Sequence, residues 1–401
     1  MAFQSLYLHI PFCLRRCNYC DFLSHTYAEV KELAAAYPAA LMQEMRMYRC
    51  YADELRSVYF GGGTPTVLPA EVLADLLAFI RQTFQLARDA EITVECNPAT
   101  VDAEYLKTLR RAGFNRLSIG AQSFQDHELK LMGRLHTAAD ITQTVAAARE
   151  AGFDNISVDI IYALPGQTLD DLQFNLLAAI KFQPEHISLY SLQLDNDSIW
   201  GQQFAKGALM AADEDLEADM LQMSWQLLKQ YGFVQYEIAN FARKSLRDYR
   251  SRHNRLYWQR EDYLGVGLGA ASCMGLRRWQ NCGTLDDYVN SLRDLHRPPV
   301  DNERLTVAQV MSEVMFMGLR QTAGVAIYPV LDKFRIDPLV YYSQELAPLY
   351  SAGLVEYLDD AHSLRLTERG FMLANQVFLA FIKDENEDIE LCNDGDFWDL
   401  C

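Results

Sequence analysis

Short apolar runs recur through the first 240 residues, and each gives way to a turn signal and then to a longer stretch with helical spacing. SLYLH (5–9), SVYF (57–60), ITVE (92–95), RLSI (116–119), ISVDII (156–161) and HISLY (186–190) read as strands. Helical spacing or strong helix formers fill 27–51, 69–84, 102–112, 138–151, 168–182 and 213–231. Leu73, Leu76, Leu77 and Ile80 fall at i, i+3, i+4 and i+7, a single helical stripe. Pro69 suits a first helical turn and Asp102 an N-cap. Six strand-then-helix units predict a parallel sheet. They are fewer than the eight of a closed barrel, so the expected fold is α/β, an open partial (β/α)6 barrel over residues 1–240.

Beyond residue 240 the rhythm changes. Residues 241–297 carry a Gly-rich turn, GVGLGAAS (265–272), and Pro298-Pro299 opens a mainly helical domain over 298–383, with breaks expected at Pro329, Pro338 and Pro348. Within it LVEYL (354–358), the turn DDAHS and LRLT (364–367) predict a small winged hairpin followed by a helix. From Asp384 the chain has eight acidic residues and no basic one, and 384–401 reads as a frayed or disordered acidic tail.

Composition narrows the function classes. With 50% hydrophobic and 11% aromatic residues the chain can bury a large core. A formal net charge of −18 over 401 residues argues against nucleic-acid binding, by the wing or otherwise. Removing the eight tail charges leaves −10, an ordinary value, so the acidity says little about the substrate. No run approaches the roughly 18 to 20 apolar residues of a membrane span, and MAFQSLYLHIPFC has no leader pattern. The expectation is a cytoplasmic protein, with room for peripheral membrane association only. Of nine cysteines, Cys13, Cys17 and Cys20 crowd into eight residues, which suits ligands better than disulfides.

Cys13-x3-Cys17-x2-Cys20 directly follows the first strand. Three thiolates on one loop can hold three corners of a cubane iron–sulfur cluster and leave the fourth iron open. Structural zinc is the competing reading, but it needs a fourth ligand, and His9 and His25 give no familiar zinc spacing. The second strand runs into Gly61-Gly62-Gly63-Thr64-Pro65-Thr66, which admits close backbone approach to a ligand or simply makes a tight turn. Polar residues also mark later strand ends: Glu95, Gln122, Asp159 and Gln193. In parallel α/β folds that edge is where ligands bind.

Together, YLHIPFCLRRCNYCDF and YFGGGTPT resemble the radical S-adenosylmethionine enzymes, and within them the oxygen-independent coproporphyrinogen III oxidase-like group. ITVECNP, RLSIGAQSF, LMGRLH and ISVDIIYALPGQT are similar to that group's successive strand-end motifs, so the resemblance extends nearly to residue 383. RHNRLYW (252–258) contains the His-Asn-x-x-Tyr-Trp signature of its haem chaperone branch. The resemblance implies that Cys13, Cys17 and Cys20 bind a 4Fe–4S cluster whose open iron chelates S-adenosylmethionine. It implies that Gly62, Gly63 and Thr64 contact the methionine end, that Glu95 is an acidic partner of the cofactor, and that Tyr7 and Tyr19 flank the cluster. Gln122, Arg134 and Asp159 match contacts to a second S-adenosylmethionine in the oxidase, although an ion pair across the barrel mouth would also explain the last two. Gln193 belongs to the same cofactor-binding set.

Three features separate oxidase from chaperone. The oxidase has a further cysteine where this chain has Phe22, and it carries a longer N-terminal arm than the six residues before Tyr7. His253, Tyr257 and Trp258 offer an imidazole for haem iron and aromatics for a macrocycle, against the plainer reading of His253 as an internal hydrogen-bonding residue. Ala271 stands where that branch commonly has a histidine. The scattered Cys50, Cys96, Cys273 and Cys282 read as buried small hydrophobes. The expected function is to bind haem as cargo and deliver it to a haem-accepting protein, with a flavodoxin or ferredoxin as electron donor and Arg134 or Arg252 meeting carboxylates. The alternative is oxidative decarboxylation of coproporphyrinogen III to protoporphyrinogen IX, or another radical reaction on a tetrapyrrole.

Overall fold

A strand covered on both faces needs apolar residues on both, and β1 (Phe3–Ile10) has only half-buried or buried positions along its length. It is the pivot of the fold. The computed structural model describes residues 2–383, and the acidic tail inferred at 384–401 lies outside the described residues. After β1 the short strands β2 (Phe12–Cys13) and β3 (His25–Thr26) pair in parallel, so the cysteine loop is tied at both ends. Five longer strands follow: β4 (Ala52–Gly62), β5 (Leu86–Cys96), β6 (Arg116–Gln122), β7 (Ile156–Tyr162) and β8 (His186–Ser191). With β1 they form six adjacent parallel strands in sequence order. The strands lie where the apolar runs put them.

The crossovers are helical: α1 (Lys31–Met47), α2 (Ala70–Thr83), α3 (Ala103–Ala112), α4 (Asp126–Met132), α5 (Ala138–Glu150) and α6 (Leu169–Lys181). Leu73, Leu76, Leu77 and Ile80 are all fully buried on α2. Asp102 caps α3 by accepting the Tyr105 N–H, and Thr137 and Thr168 start α5 and α6 with reciprocal capping boxes. Pro69 is the residue before α2 rather than in its first turn.

The sheet does not stop near residue 240. After α7 (Ile199–Ala205) and α8 (Glu214–Gln230), β9 (Phe233–Gln235) and β10 (Asn240–Arg243) add antiparallel strands beside β8. Next, α9 (Arg252–Trp258) leads to β11 (Tyr263–Val266), which pairs in parallel with β1 on the side away from β4. Then β12 (Ala271–Met274), β13 (Arg277–Asn281) and β14 (Val300–Arg304), with α10 (Leu285–Arg293) between the last two, extend that edge. The result is one sheet of twelve strands. Residues 241–304 therefore belong largely to the sheet. The hydrophobic pattern missed this because β11 is only four residues long and VDNER in β14 is almost wholly exposed.

The parallel part is rolled. Laid flat, strands β1 to β8 would spread over about 24 Å at about 4.8 Å per step. Residues from β4, β5, β6, β7 and β8 nevertheless line one cavity together with the cysteine loop. This is the partial barrel.

After β14, α11 (Val307–Gly318) begins a second, apolar core that includes Val310, Met311, Met315, Leu319, Leu364 and Phe381. The expected hairpin is present as β16 (Val355–Leu358) and β17 (Ser363–Leu366), and β15 (Val325–Ala326) joins it to make three strands. Short helices at 327–334, 338–341, 343–351, 368–372 and 374–379 complete the domain. Pro329 and Pro348 lie inside helices and Pro338 starts one, so these prolines punctuate the domain less than expected. No helix of the described residues is long and apolar enough to cross a membrane.

Candidate functional site

The loop from Leu14 to Ser24 carries two of the three clustered cysteines, and Cys13 lies just before it at the end of β2. Backbone bonds brace it from outside: the Asn18 N–H donates to Met132 O at the end of α4 (2.9 Å), and the Trp200 N–H donates to Asn18 O (2.8 Å). Tyr19 packs against the Trp200 ring. On the inner side the glycine run explains itself. A Cβ at Gly63 would meet Phe12 O at 2.8 Å and Cys13 Sγ at 3.0 Å, and one at Gly62 would meet the His9 ring at 2.7 Å. Gly62 also has φ of +112°, a conformation that suits glycine alone. Thr64 Oγ1 lies 3.6 Å from Cys13 Sγ, and Arg134 Nη1 lies 3.5 Å from Cys17 Sγ.

All three cysteines face one cavity of about 410 Å³. Among the described residues no three His, Cys, Asp or Glu side chains meet closely enough for a single ion. Burial pushes the Cys20 thiol up to about 11 and raises Cys13 as well.

The strand ends form the rest of the wall. Tyr19, Gly62, Gly63, Thr64, Glu95, Gln122, Arg134, Asp159 and Gln193 all line the cavity. The Tyr59 hydroxyl donates to Glu95 Oε1 (2.8 Å) and the Gly62 N–H to Oε2 (3.2 Å). Burial pushes Glu95 up to about 7 despite these donors. Asp159 is raised by burial too, while the hydroxyls of Ser118 (3.0 Å) and Ser157 (3.0 Å) donate to it. Gln122 sits at φ of +65° where the pairing of β6 with β7 slips, a strained conformation of the kind held at ligand sites. The absent side chain at Gly120 makes room for Gln122 and Arg134. Arg134 Nη2 donates to Gly120 O at 2.7 Å, so Arg134 and Asp159 are not paired with each other.

Several expected positions differ. Tyr7 is not part of the cavity wall; its hydroxyl bonds His9 Nδ1 (3.0 Å), and His9 backs Gly62. His253 is 2% exposed, with Ser57 Oγ on Nδ1 and the Tyr257 hydroxyl on Nε2, both at 2.9 Å. Iron ligation would have to break one of these bonds. Burial, with Arg116 nearby, lowers His253 to about 3 and keeps it neutral. Trp258 lies under the Arg320 guanidinium at 4.6 Å, and Arg252 is tied to Asp89 at 2.9 Å. Of the residues 253–258, Asn254 alone lines the cavity. Ala271 begins β12, outside the cavity wall. Among the scattered cysteines, Cys50 is exposed, and Cys96 is a buried part of the cavity wall.

The cavity also includes Asn254 of the His-Asn-x-x-Tyr-Trp signature and residues the sequence did not single out, namely Tyr59, Arg116, Ser118, Ser188 and Tyr190. Arg116 is 2% exposed, and its Nε–H finds no acceptor among the described residues. Its signal was available: Arg116, Ser118, Gly120 and Gln122 alternate with Leu117, Ile119 and Ala121, which marks one face of β6 as polar.

Residues 7–176 match the Radical SAM superfamily and residues 305–373 the HemN C-terminal domain. The heme chaperone HemW of Bacillus subtilis is 36% identical over 382 residues, covering 94% of this chain and 99% of that protein. The chain belongs to the HemW family of radical SAM proteins. Radical S-adenosyl methionine domain-containing protein 1, mitochondrial, from Bos taurus is 33% identical over 390 residues, covering 94% of this chain and 87% of its own. Among solved structures, coproporphyrinogen III oxidase (HemN) from Escherichia coli, a radical SAM enzyme, superposes with a TM-score of 0.78 at 25% identity. That match covers 94% of this chain and 89% of the oxidase. The radical SAM superfamily match implies a 4Fe–4S cluster and S-adenosylmethionine, and three cysteines face the cavity described above.

Proposed function

We propose that this chain binds haem and hands it to a haem-accepting protein, with Cys13, Cys17 and Cys20 holding the cluster and the strand-end residues holding S-adenosylmethionine. The observation that carries this reading is the 36% identity to a heme chaperone over essentially the full length of both chains. When bound, the cluster and its cofactor supply one-electron chemistry that no side chain can provide. The protein's part is positional. Gly62 and Gly63 let backbone groups approach the cofactor, and Glu95, ionised above about pH 7, accepts from its cationic end. Asp159, held by three strands' hydroxyls, suits a ribose or an amine. Arg134 stays charged beside Cys17 and offers its fork to a carboxylate.

Because His253 is internally satisfied, the haem seat is better placed at the cavity mouth. There Phe22, 59% exposed, lies with the exposed residues Arg15 and Arg16, the second of which donates to Asp197 O at 3.0 Å, an apolar face beside two cations for propionates. Anaerobic haemin titration of the reconstituted protein tests the reading: a saturable Soret shift is expected, and its absence would remove haem binding. Conversion of coproporphyrinogen III to protoporphyrinogen IX by the same preparation would establish the oxidase instead.

A further inference from the structure

The His-Asn-x-x-Tyr-Trp run is left largely without a task by the cavity, since only Asn254 reaches it. The geometry points to His253 as a positioning residue for the cofactor side of the cavity, acting through Tyr59 on Glu95. This inference rests on the reading that Glu95 contacts S-adenosylmethionine.

The chain of contacts is continuous. The His253 imidazole stacks on the Tyr59 ring with 4.9 Å between centroids and 23° between planes. The Tyr59 hydroxyl donates to Glu95 at 2.8 Å, and Glu95 forms part of the cavity wall. Tyr59 has no slack in the other direction: a Cβ at Gly61 would meet its ring at 2.8 Å and Glu95 Oε1 at 3.1 Å. The imidazole is itself fixed by Ser57 on one nitrogen and Tyr257 on the other, and Tyr257 leans edge-on against Tyr263 at 4.5 Å. Backbone contacts hold α9 in register, because the N–H groups of Arg252 and His253 donate to the Glu91 carboxylate on β5 at 3.0 and 3.1 Å. Thus β5 supplies both Glu91, which seats the helix, and Glu95, four residues on, which the helix steadies through Tyr59. A ring pair of this kind contributes orientation more than energy. Losing it lets the Tyr59 hydroxyl drift, and a hydrogen bond to a carboxylate falls off steeply with angle.

The charged and titratable groups acting on Glu95 are Tyr7 on β1, Tyr59 on β4, Arg116 on β6 and Asp159 on β7. The Tyr59 donor and Arg116 favour the carboxylate, and Asp159 opposes it. Removing the Tyr59 hydroxyl therefore raises the pH at which Glu95 ionises.

The test uses the full chain with its cluster reconstituted anaerobically, reading S-adenosylmethionine affinity by equilibrium dialysis from pH 6 to 8.5 and haemin binding by the Soret band. Tyr59→Phe is expected to weaken the cofactor about tenfold and to move the pH midpoint of binding upward. His253→Ala is expected to shift the midpoint in the same direction, with its Soret response intact, and the double variant to be no weaker than Tyr59→Phe alone. Additive losses, or an unmoved midpoint in His253→Ala, would overturn the inference. So would a His253→Ala protein that binds the cofactor normally and has lost the Soret shift, which would make His253 a haem ligand. Should His253→Ala fail to fold, Ser57→Ala and Tyr257→Phe each free one ring nitrogen, and the same coupling to Tyr59→Phe decides. Glu95→Gln separates the two levels. If it leaves affinity and pH profile unchanged, the underlying reading of Glu95 fails and the inference falls with it; if Glu95→Gln weakens binding but His253 and Ser57 variants do not, only the inference fails.

Discussion

The barrel interior and the core of the C-terminal domain put buried polar groups to different ends. In the C-terminal domain Ser312 Oγ donates to Phe381 O at 2.8 Å, and buried Glu313 is paired with Arg260 at 2.9 Å and with Arg278. In the barrel, Glu95, Asp159 and Arg116 line a cavity, and the buried carboxylates have been pushed up by desolvation instead of being neutralised by an adjacent guanidinium. Burying charge without a close partner costs several kcal/mol. Where such carboxylates also face a cavity, as Glu95 and Asp159 do, they mark a candidate ligand site.

The comparison breaks most visibly under substitutions confined to one region. Cys17→Ser is expected to abolish the visible absorbance of the reconstituted cluster while leaving the far-ultraviolet circular dichroism and Tm of the apoprotein unchanged, since Cys17 is half-buried and lies on a loop tied elsewhere. Met315→Ala, in the fully buried apolar core of the other domain, is expected to do the reverse: about 2–5 kcal/mol of stability lost and full cluster loading retained below the transition. Loss of cluster loading in Met315→Ala at temperatures where it is folded would show that the two regions are coupled.

A finer test uses the sign of a pKa shift. Glu95 titrates at about 7 in the fold against 4.5 for an ordinary carboxyl, so the folded chain holds an extra proton between those values. Stability contributed by that proton is complete below about pH 4.5 and is lost as pH rises through 7, amounting to at most about 3 kcal/mol. Glu95→Gln is therefore expected to raise Tm at pH 8 and to leave it unchanged near pH 4.5, while weakening the cofactor. Equal Tm values at both pH values would remove Glu95 from the set of destabilised functional carboxylates.

What could be read beforehand follows from how local each signal is. The cysteine spacing, the glycine run and the polar strand ends are contiguous in sequence, and the fold brings Cys13, Gly62, Glu95, Gln122, Asp159 and Gln193 to one cavity because parallel strands present the same end on the same side. His253 is harder to read for the opposite reason. An imidazole next to tyrosine and tryptophan suits a haem site and an internal hydrogen-bonding residue alike; the Nδ1 partner Ser57 and the stacked Tyr59 lie almost two hundred residues away, and only the rolled sheet brings them to it. Nothing in SLYLHIPFC shows that the Tyr7 hydroxyl bonds His9, whose other ring nitrogen bonds Leu23 O. The antiparallel extension was illegible because its strands are short or solvent-facing and carry no apolar period.

Arg116 is the subtlest case. It has the burial of a structural residue, with an Nε–H that has no acceptor among the described residues and electrostatic contact with Glu91 and Asp159. If it were there to hold the barrel together, Arg116→Met would strand those carboxylates and cost about 3–5 kcal/mol, as removal of one member of a buried pair does. Glu91, however, is already bonded by the N–H groups of Arg252 and His253, and Asp159 by serine hydroxyls. Methionine fills most of the same volume without a charge to desolvate. Arg116→Met is therefore expected to stay within about 1 kcal/mol of the parent in denaturant unfolding at pH 6. Because Arg116 favours the ionised forms of Glu95 and Asp159, the same variant is expected to bind S-adenosylmethionine more weakly at pH 7 and to recover at higher pH. A large loss of stability with an unshifted pH profile would place Arg116 with Arg260 and Glu313, as part of the scaffold.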